Sequence, residues 1–204
     1  MNALVLVDLQ NDFCAGGALA VPDGDATIAV ANGLLDRIPL VVATQDFHPA
    51  NHGSFAANHA GAAPYSQIDL FGLPQVLWPV HCVQHSPGAA FHRDLITSKI
   101  ARTFPKGTDP TVDSYSGFYD NGKRKSTGLG GFLREKGVTQ VFVLGLATDY
   151  CVRATVLDAL QLGFAVGLVA EGCRAVDLQP GDGERAVFAM AAAGARVMQS
   201  SEVG

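Results

Sequence analysis

Cys151 closes the run Gly145-Leu-Ala-Thr-Asp-Tyr-Cys151, where a continuous apolar stretch gives way to a helical pattern. With Thr148 or Asp149 as N-cap, the cysteine falls in the first helical turn. Backbone N–H groups there lack partners, and the helix dipole favours an anion. Both effects lower a thiol's pKa, and the same N–H groups can hold an oxyanion. Position alone leaves two readings open, a reactive thiolate or a buried, inert thiol. Asp8 ends the first apolar run, where a carboxylate either faces a crevice or caps a turn. Lys106, in Phe104-Pro-Lys-Gly107, follows another apolar run. Alone it reads as surface charge; beside a thiol and a carboxylate it would favour their charged forms. Asp46-Phe-His48 places a carboxylate and an imidazole close together, and His81 after Trp78-Pro79 offers a second imidazole. Such a donor set with open positions suits zinc, iron or manganese, although Asp and His at this spacing are common in loops.

These residues need elements to position them. Continuously apolar, β-branched runs at 3–7, 40–43, 141–144, 165–169 and 195–198 predict strands covered on both faces, with weaker runs at 76–78 and 100–104. Helices are predicted between them. Residues 25–38 carry an apolar stripe at Ile28, Val30, Ala31, Leu34, Leu35 and Ile38. Segments 127–136, 149–162 and 180–193 each run into a glycine: Gly137, Gly163 and Gly194. Strands alternating with helices predict a three-layer αβα sandwich, a doubly wound, mostly parallel sheet with one domain over 1–204. Chemistry in such folds gathers at the carboxyl ends of the strands, where Asp8, Asp46, Lys106 and Cys151 fall. The stretch 45–75, rich in Pro, Gly, Asn and His, reads as a long functional loop.

The bulk composition narrows the function classes. The chain has 204 residues, 48% of them hydrophobic, enough for a full core. A net charge of −5 gives no footprint for nucleic acid or an anionic membrane. No apolar run reaches the roughly 18 residues of a membrane helix, and residues 3–7 stop at Asp8 with no cationic segment before them. Cys14, Cys82, Cys151 and Cys173 are widely spaced without a CxxC, which predicts free thiols in a reducing, cytoplasmic setting. The oligomeric state is not written in the sequence; a homo-oligomer fits as well as a monomer.

Six segments in order resemble the isochorismatase-like cysteine hydrolases and, within them, the nicotinamidases (pyrazinamidases). They are Val7-Asp-Leu-Gln-Asn-Asp-Phe13, Asp46-Phe-His-Pro-Ala-Asn-His-Gly-Ser-Phe55, Trp78-Pro-Val-His-Cys82, Phe104-Pro-Lys-Gly107, Asp113-Ser-Tyr-Ser-Gly-Phe118 and Gly145-Leu-Ala-Thr-Asp-Tyr-Cys151. Each is weak alone, but six in order are specific. The resemblance implies a triad of Asp8, Lys106 and Cys151, and an oxyanion hole from the amides of Ala147 and Cys151 beside a cis peptide after Leu146. It implies a divalent transition ion on Asp46, His48 and His81, zinc first with iron or manganese also fitting, and it leaves His52 as a second-tier ligand. Phe13, Trp78 and Tyr115 would line a ring pocket. The implied reaction is hydrolysis of nicotinamide, and of pyrazinamide by its similar shape, within NAD salvage. Phe47 stands where many relatives carry Trp, and Tyr150, at a variable position before the nucleophile, would alter the pocket wall. Isochorismate hydrolases lack the nucleophilic cysteine, and carbamoyl- or ureido-type amidohydrolases generally lack the metal ligands. A non-catalytic binding module would have no need of the three triad residues together.

Overall fold

The apolar runs become the strands of one six-stranded sheet in which every neighbouring pair is parallel. The computed structural model describes residues 1–204. The strands are β1 (Asn2–Val7), β2 (Leu40–Asp46), β5 (Arg102–Lys106), β6 (Gln140–Leu146), β7 (Ala165–Arg174) and β8 (Arg196–Met198), in the order β5-β2-β1-β6-β7-β8. Residues 3–7 and 141–146 are wholly or almost wholly buried, as strands sandwiched between layers must be. Burying each large aliphatic side chain among them contributes roughly 1.5–3 kcal/mol. Helix α1 (Ala26–Leu34) packs on β6 and β7, and α3 (Arg153–Gln161) and α4 (Asp182–Ala192) pack together over β7 and β8. Helix α2 (Leu129–Glu135) ends where Gly137 takes φ +69, the left-handed conformation that closes a helix without a Cβ clash. No helix is long and apolar enough to cross a membrane.

Strand order reverses between β1 and β6: the chain builds β2 and β5 outward on one side, then β7 and β8 on the other. That switch point opens a crevice above the carboxyl ends of the central strands. Registers set the residues that reach it, with Asp46 opposite Lys106 and Val7 opposite Gly145.

Three sequence expectations need correction. Residues 45–75 are not wholly irregular: β3 (Gln67–Leu70) and β4 (Leu73–Val76) form a separate antiparallel hairpin. Its turn puts Phe71 at φ +50 and Gly72 at φ +86. A Phe at positive φ is disfavoured, so the sequence carries none of the usual Asn-Gly or Asp-Gly signal. The predicted strand at 76–78 therefore ends at Val76 and lies outside the main sheet. The run at 100–104 shifts to 102–106 and includes Pro105, tolerated because β5 is an edge strand.

Gly145, at φ +133, lets β6 approach β1 closely: a Cβ there would sit 2.1 Å from the Val7 carbonyl oxygen. Gly145→Ala is expected to cost about 3 kcal/mol or more, combining forbidden φ with overpacking. Gly131→Ala, on the exposed face of α2 with no atom within 4 Å of the new Cβ, is expected to stabilise by about 0.5–1 kcal/mol. Urea denaturation of both variants checks the pair; equal stability of Gly145→Ala and wild type would show that the strand contact is not as tight as described.

Candidate active site

Four strand ends meet in the crevice. Lys106, from the edge of β5, is 2% exposed, which is rare for a lysine and costs several kcal/mol unless its charge is answered. Its Nζ donates to Asp46 Oδ1 at 2.5 Å, to the Ser114 carbonyl at 3.0 Å and to Cys151 Sγ at 3.3 Å. An ammonium has three N–H donors, and these partners use them all. Asp8 Oδ2 also lies 2.8 Å from Nζ, yet no well-directed hydrogen bond reaches it. The contact is one of charge, and it leaves that oxygen able to accept a proton. Asp8 Oδ1 is held by the Thr44 hydroxyl, which donates at 2.6 Å. Ligand atoms of Asp8, Asp46 and Cys151 all lie within 4.8 Å of one another. The structure thus brings Asp8, Lys106 and Cys151 together.

Burial dominates the electrostatics and revises one expectation. The Cys151 thiol is pushed well up by burial, with Lys106 pulling the other way and Asp8 and Asp46 adding to the rise. The local backbone also departs from the expected capped helix start. Thr148–Val152 is a single π-helical turn, not the start of an α-helix, and neither Thr148 nor Asp149 caps it. The Asp149 carboxylate instead accepts the Val176 and Asp177 N–H groups at 3.0 and 2.8 Å, pinning the segment after β7. Burial raises Asp8 as well, joined by Asp46 and opposed by Lys106. A base with increased proton affinity next to a reluctant thiol keeps proton transfer between them feasible. Burial works against the Lys106 charge, but Asp46, Asp8 and Cys151 together outweigh it and hold the ammonium well above its ordinary range.

The second oxygen of Asp46 faces two histidines, with His48 Nε2 at 3.4 Å and His81 Nε2 at 3.6 Å. The Nδ1 atoms of His48 and His81 lie 2.8 Å from the carbonyls of Gly107 and Pro79. Donation to those carbonyls turns both Nε2 lone pairs inward. His48 Nε2 is buried with no hydrogen-bond partner. Two imidazole lone pairs and a carboxylate oxygen converging in a dry site fit a divalent metal ion, whose charge would satisfy all three. His52 Nδ1 lies 2.7 Å from the Ser54 Oγ and 3.2 Å from the Ser54 N–H, and its Nε2, like that of His48, is buried with no hydrogen-bond partner. Its carboxylate neighbour is Asp113, not Asp46. Burial holds its pKa down to about 4.

In front of Cys151 lies a narrow cleft walled by Phe13, Trp78, Tyr115 and Tyr150, with Ala147 and Asp113 also reaching it. The Trp78 indole N–H donates to the Tyr115 hydroxyl at 3.2 Å, and Tyr150 stands edge-on to Trp78 at 4.7 Å between ring centroids. The peptide between Leu146 and Ala147 is cis.

A family model described as the isochorismatase domain matches residues 2–202. The chain belongs to the isochorismatase family. Among curated relatives, the nicotinamidase of Escherichia coli is 57% identical over 198 residues, covering 95% of this chain and 92% of that protein. A solved nicotinamidase/pyrazinamidase of the same family from Acinetobacter baumannii superposes with a TM-score of 0.96 at 43% identity, covering 100% of this chain and 98% of that one. The pyrazinamidase of Pyrococcus horikoshii, solved in complex with zinc, is 39% identical with a TM-score of 0.79, over 97% and 98% of the two chains. Within this isochorismatase-family frame, several positioning residues were not singled out from the sequence. Gln10 clamps Asp46 at both backbone ends, donating to its carbonyl and accepting its N–H at 2.8 Å each. Thr44 fixes Asp8, and Asp113 accepts Gln75 Nε2 at 3.0 Å behind the metal-capable trio. Thr44 lies two residues before Asp46 on the same strand face, a period-two signal that could have marked it.

Lys106→Met would leave two carboxylates buried without their cation. A loss of about 3–5 kcal/mol in unfolding free energy is expected at neutral pH, measured by chemical denaturation; a loss below 1 kcal/mol would show that the ammonium is not what holds Asp8 and Asp46 in the core.

Proposed function

We propose that this chain hydrolyses nicotinamide to nicotinate and ammonia through a Cys151 thioester, accepts pyrazinamide as well, and serves NAD salvage. The observation that carries the reading is the meeting of Cys151 Sγ, Lys106 Nζ and Asp8 at the floor of an aromatic cleft. Nicotinamide is a flat ring bearing a carboxamide. Phe13, Trp78 and Tyr115 bury its faces, and aromatic pairs contribute roughly 0.5–1.5 kcal/mol each beyond area burial. Asp46, His48 and His81 would hold a divalent ion, zinc in the first instance. When bound, it supplies an open coordination position for the pyridine nitrogen, an anchor that orients the amide.

Asp8 takes the Cys151 proton on its free oxygen, and Lys106 stabilises the thiolate as it forms. The thiolate attacks the amide carbon. The amides of Ala147 and Cys151 receive the oxyanion, where one such donor is worth about 2.7–4 kcal/mol in other enzymes. Asp8 then gives its proton to the departing ammonia. A water, deprotonated by Asp8, attacks the thioester, and nicotinate leaves as the thiol re-forms. All four cysteines are free and buried, in keeping with a reducing cytoplasm. The whole of 1–204 acts as one domain in this reading. A carbamoyl-type amidohydrolase would use the same three residues but has no need of the metal-capable trio.

Three experiments test the proposal. Metal-quantified protein is expected to release ammonia from nicotinamide and not from N-carbamoyl amino acids, and the reverse preference would assign it to the carbamoyl group. Cys151→Ala should abolish turnover with an unchanged circular dichroism spectrum; full activity in that variant sinks the thioester route. Exhaustive chelation with verified metal loss should reduce activity at least tenfold, and unchanged rates would remove the ion from the reading.

A further inference from the structure

A second cluster of ligand-type side chains lies outside the crevice. Cys14 follows the short 3₁₀ turn Asn11–Phe13 after β1 and is 1% exposed. Asp25 occupies the N-cap position of α1, yet its side chain makes no capping bond. It turns back toward the Cys14 segment, where Oδ2 accepts the Ala15 N–H at 2.8 Å. His92 comes from the loop before β5, with Nε2 3.3 Å from Asp25 Oδ1. One ligand atom from each of Cys14, Asp25 and His92 lies within 4.8 Å of the others.

The geometry points to a second metal site at Cys14, Asp25 and His92, for a thiophilic divalent ion of the zinc class with water as fourth ligand. Tetrahedral zinc with ordinary bond lengths places its N, O and S donors about 3.4–3.6 Å apart. His92 and Asp25 already stand near that separation, and Cys14 needs only a small closure. The open face of the cluster is a surface cleft bounded by Asp12, Gly88 and Arg93, through which water reaches the ion. One thiolate and one carboxylate neutralise a divalent charge. Behind His92, Asp94 Oδ2 lies 3.9 Å from Nδ1, beyond hydrogen-bond distance, so a turn of this exposed side chain would be needed to make it the carboxylate partner that improves an imidazole ligand. At present the Asp94 N–H donates to Nδ1 at 3.3 Å, so the ring proton faces Asp25 from Nε2. Metal binding exchanges it: Nε2 gives its proton up and ligates, Nδ1 takes one and donates to Asp94. Cys14 releases its thiol proton to solvent as the metal–sulfur bond forms. Cys14 ligates as the thiolate, so the ion competes with a proton and binds less tightly as pH falls.

Such an ion would tie together the turn bearing Phe13, the start of α1 and the 85–95 loop. It is a clamp on one wall of the cleft, separate from the Asp46 trio. Co²⁺ is the probe, added to protein whose Asp46–His48–His81 site is first filled with zinc. A thiolate-to-cobalt charge-transfer absorption saturating at one equivalent is expected in wild type and in Cys151→Ser. Cys14→Ser should lose it, and Asp94→Asn should weaken cobalt binding by about 10–100-fold. Zinc beyond the equivalent that fills the Asp46 trio should raise the unfolding temperature more in wild type than in Cys14→Ser, which keeps only that first site, and the metal-free unfolding of that variant shows whether it folds normally. No charge-transfer band in wild type, or a band that survives Cys14→Ser, overturns the proposal.

Discussion

One ammonium, buried where lysines seldom go, organises the crevice. Lys106 stands between two carboxylates and a thiol, and each of those groups depends on it. Without the positive charge, Asp8 and Asp46 would repel across a dry space and Cys151 would have no partner favouring its ionised form. With it, each accepts burial on different terms. Asp46 is held well below its ordinary range, since Lys106 and His48 outweigh the burial that opposes its charge. Asp8 rises, because burial wins there. Two carboxylates on neighbouring strands thus sit in different electrostatic states, one held charged and facing histidines, the other with its proton affinity raised.

The sheet supplies the precision this requires. Parallel registers place Asp46 and Lys106 side by side, and the reversal of strand order leaves their ends uncovered. Side-chain bonds then do locally what the ladder cannot. Gln10 grips both backbone ends of Asp46, and Thr44 turns Asp8. Locking a reacting group by a neighbour that does no chemistry keeps its geometry without adding charge.

Much of this was legible in the chain. The strand runs are continuous apolar stretches, so their position and burial could be read directly, and the polar residues at their ends marked the crevice. Two kinds of feature were not legible. The first is the hairpin Gln67–Val76, whose turn places Phe71 where a glycine or asparagine would have announced it. The second is the direction of the Cys151 pKa shift. A helix start lowers a thiol's pKa through its dipole, but the thiol is fully enclosed, so desolvation decides. Burial is a tertiary property that no local motif reports. The aromatic cleft was largely legible: Phe13, Trp78 and Tyr115 were singled out as its lining and Tyr150 as a residue able to alter its wall, and all four stand around it.

The hairpin has a different bearing on how such a molecule can change. It contributes Gln75, and Trp78 follows directly, yet neither strand pairs with the main sheet. Reactive groups sit on strand ends locked by register, while one recognition wall hangs on a peripheral arm with an exposed tip at Phe71. Loops of that kind accept insertion and replacement far more readily than core strands do. The architecture therefore separates two rates of change: a floor of strand-end groups fixed by register, and a wall that can be rebuilt to admit a new ring or chain without disturbing Cys151 beneath it.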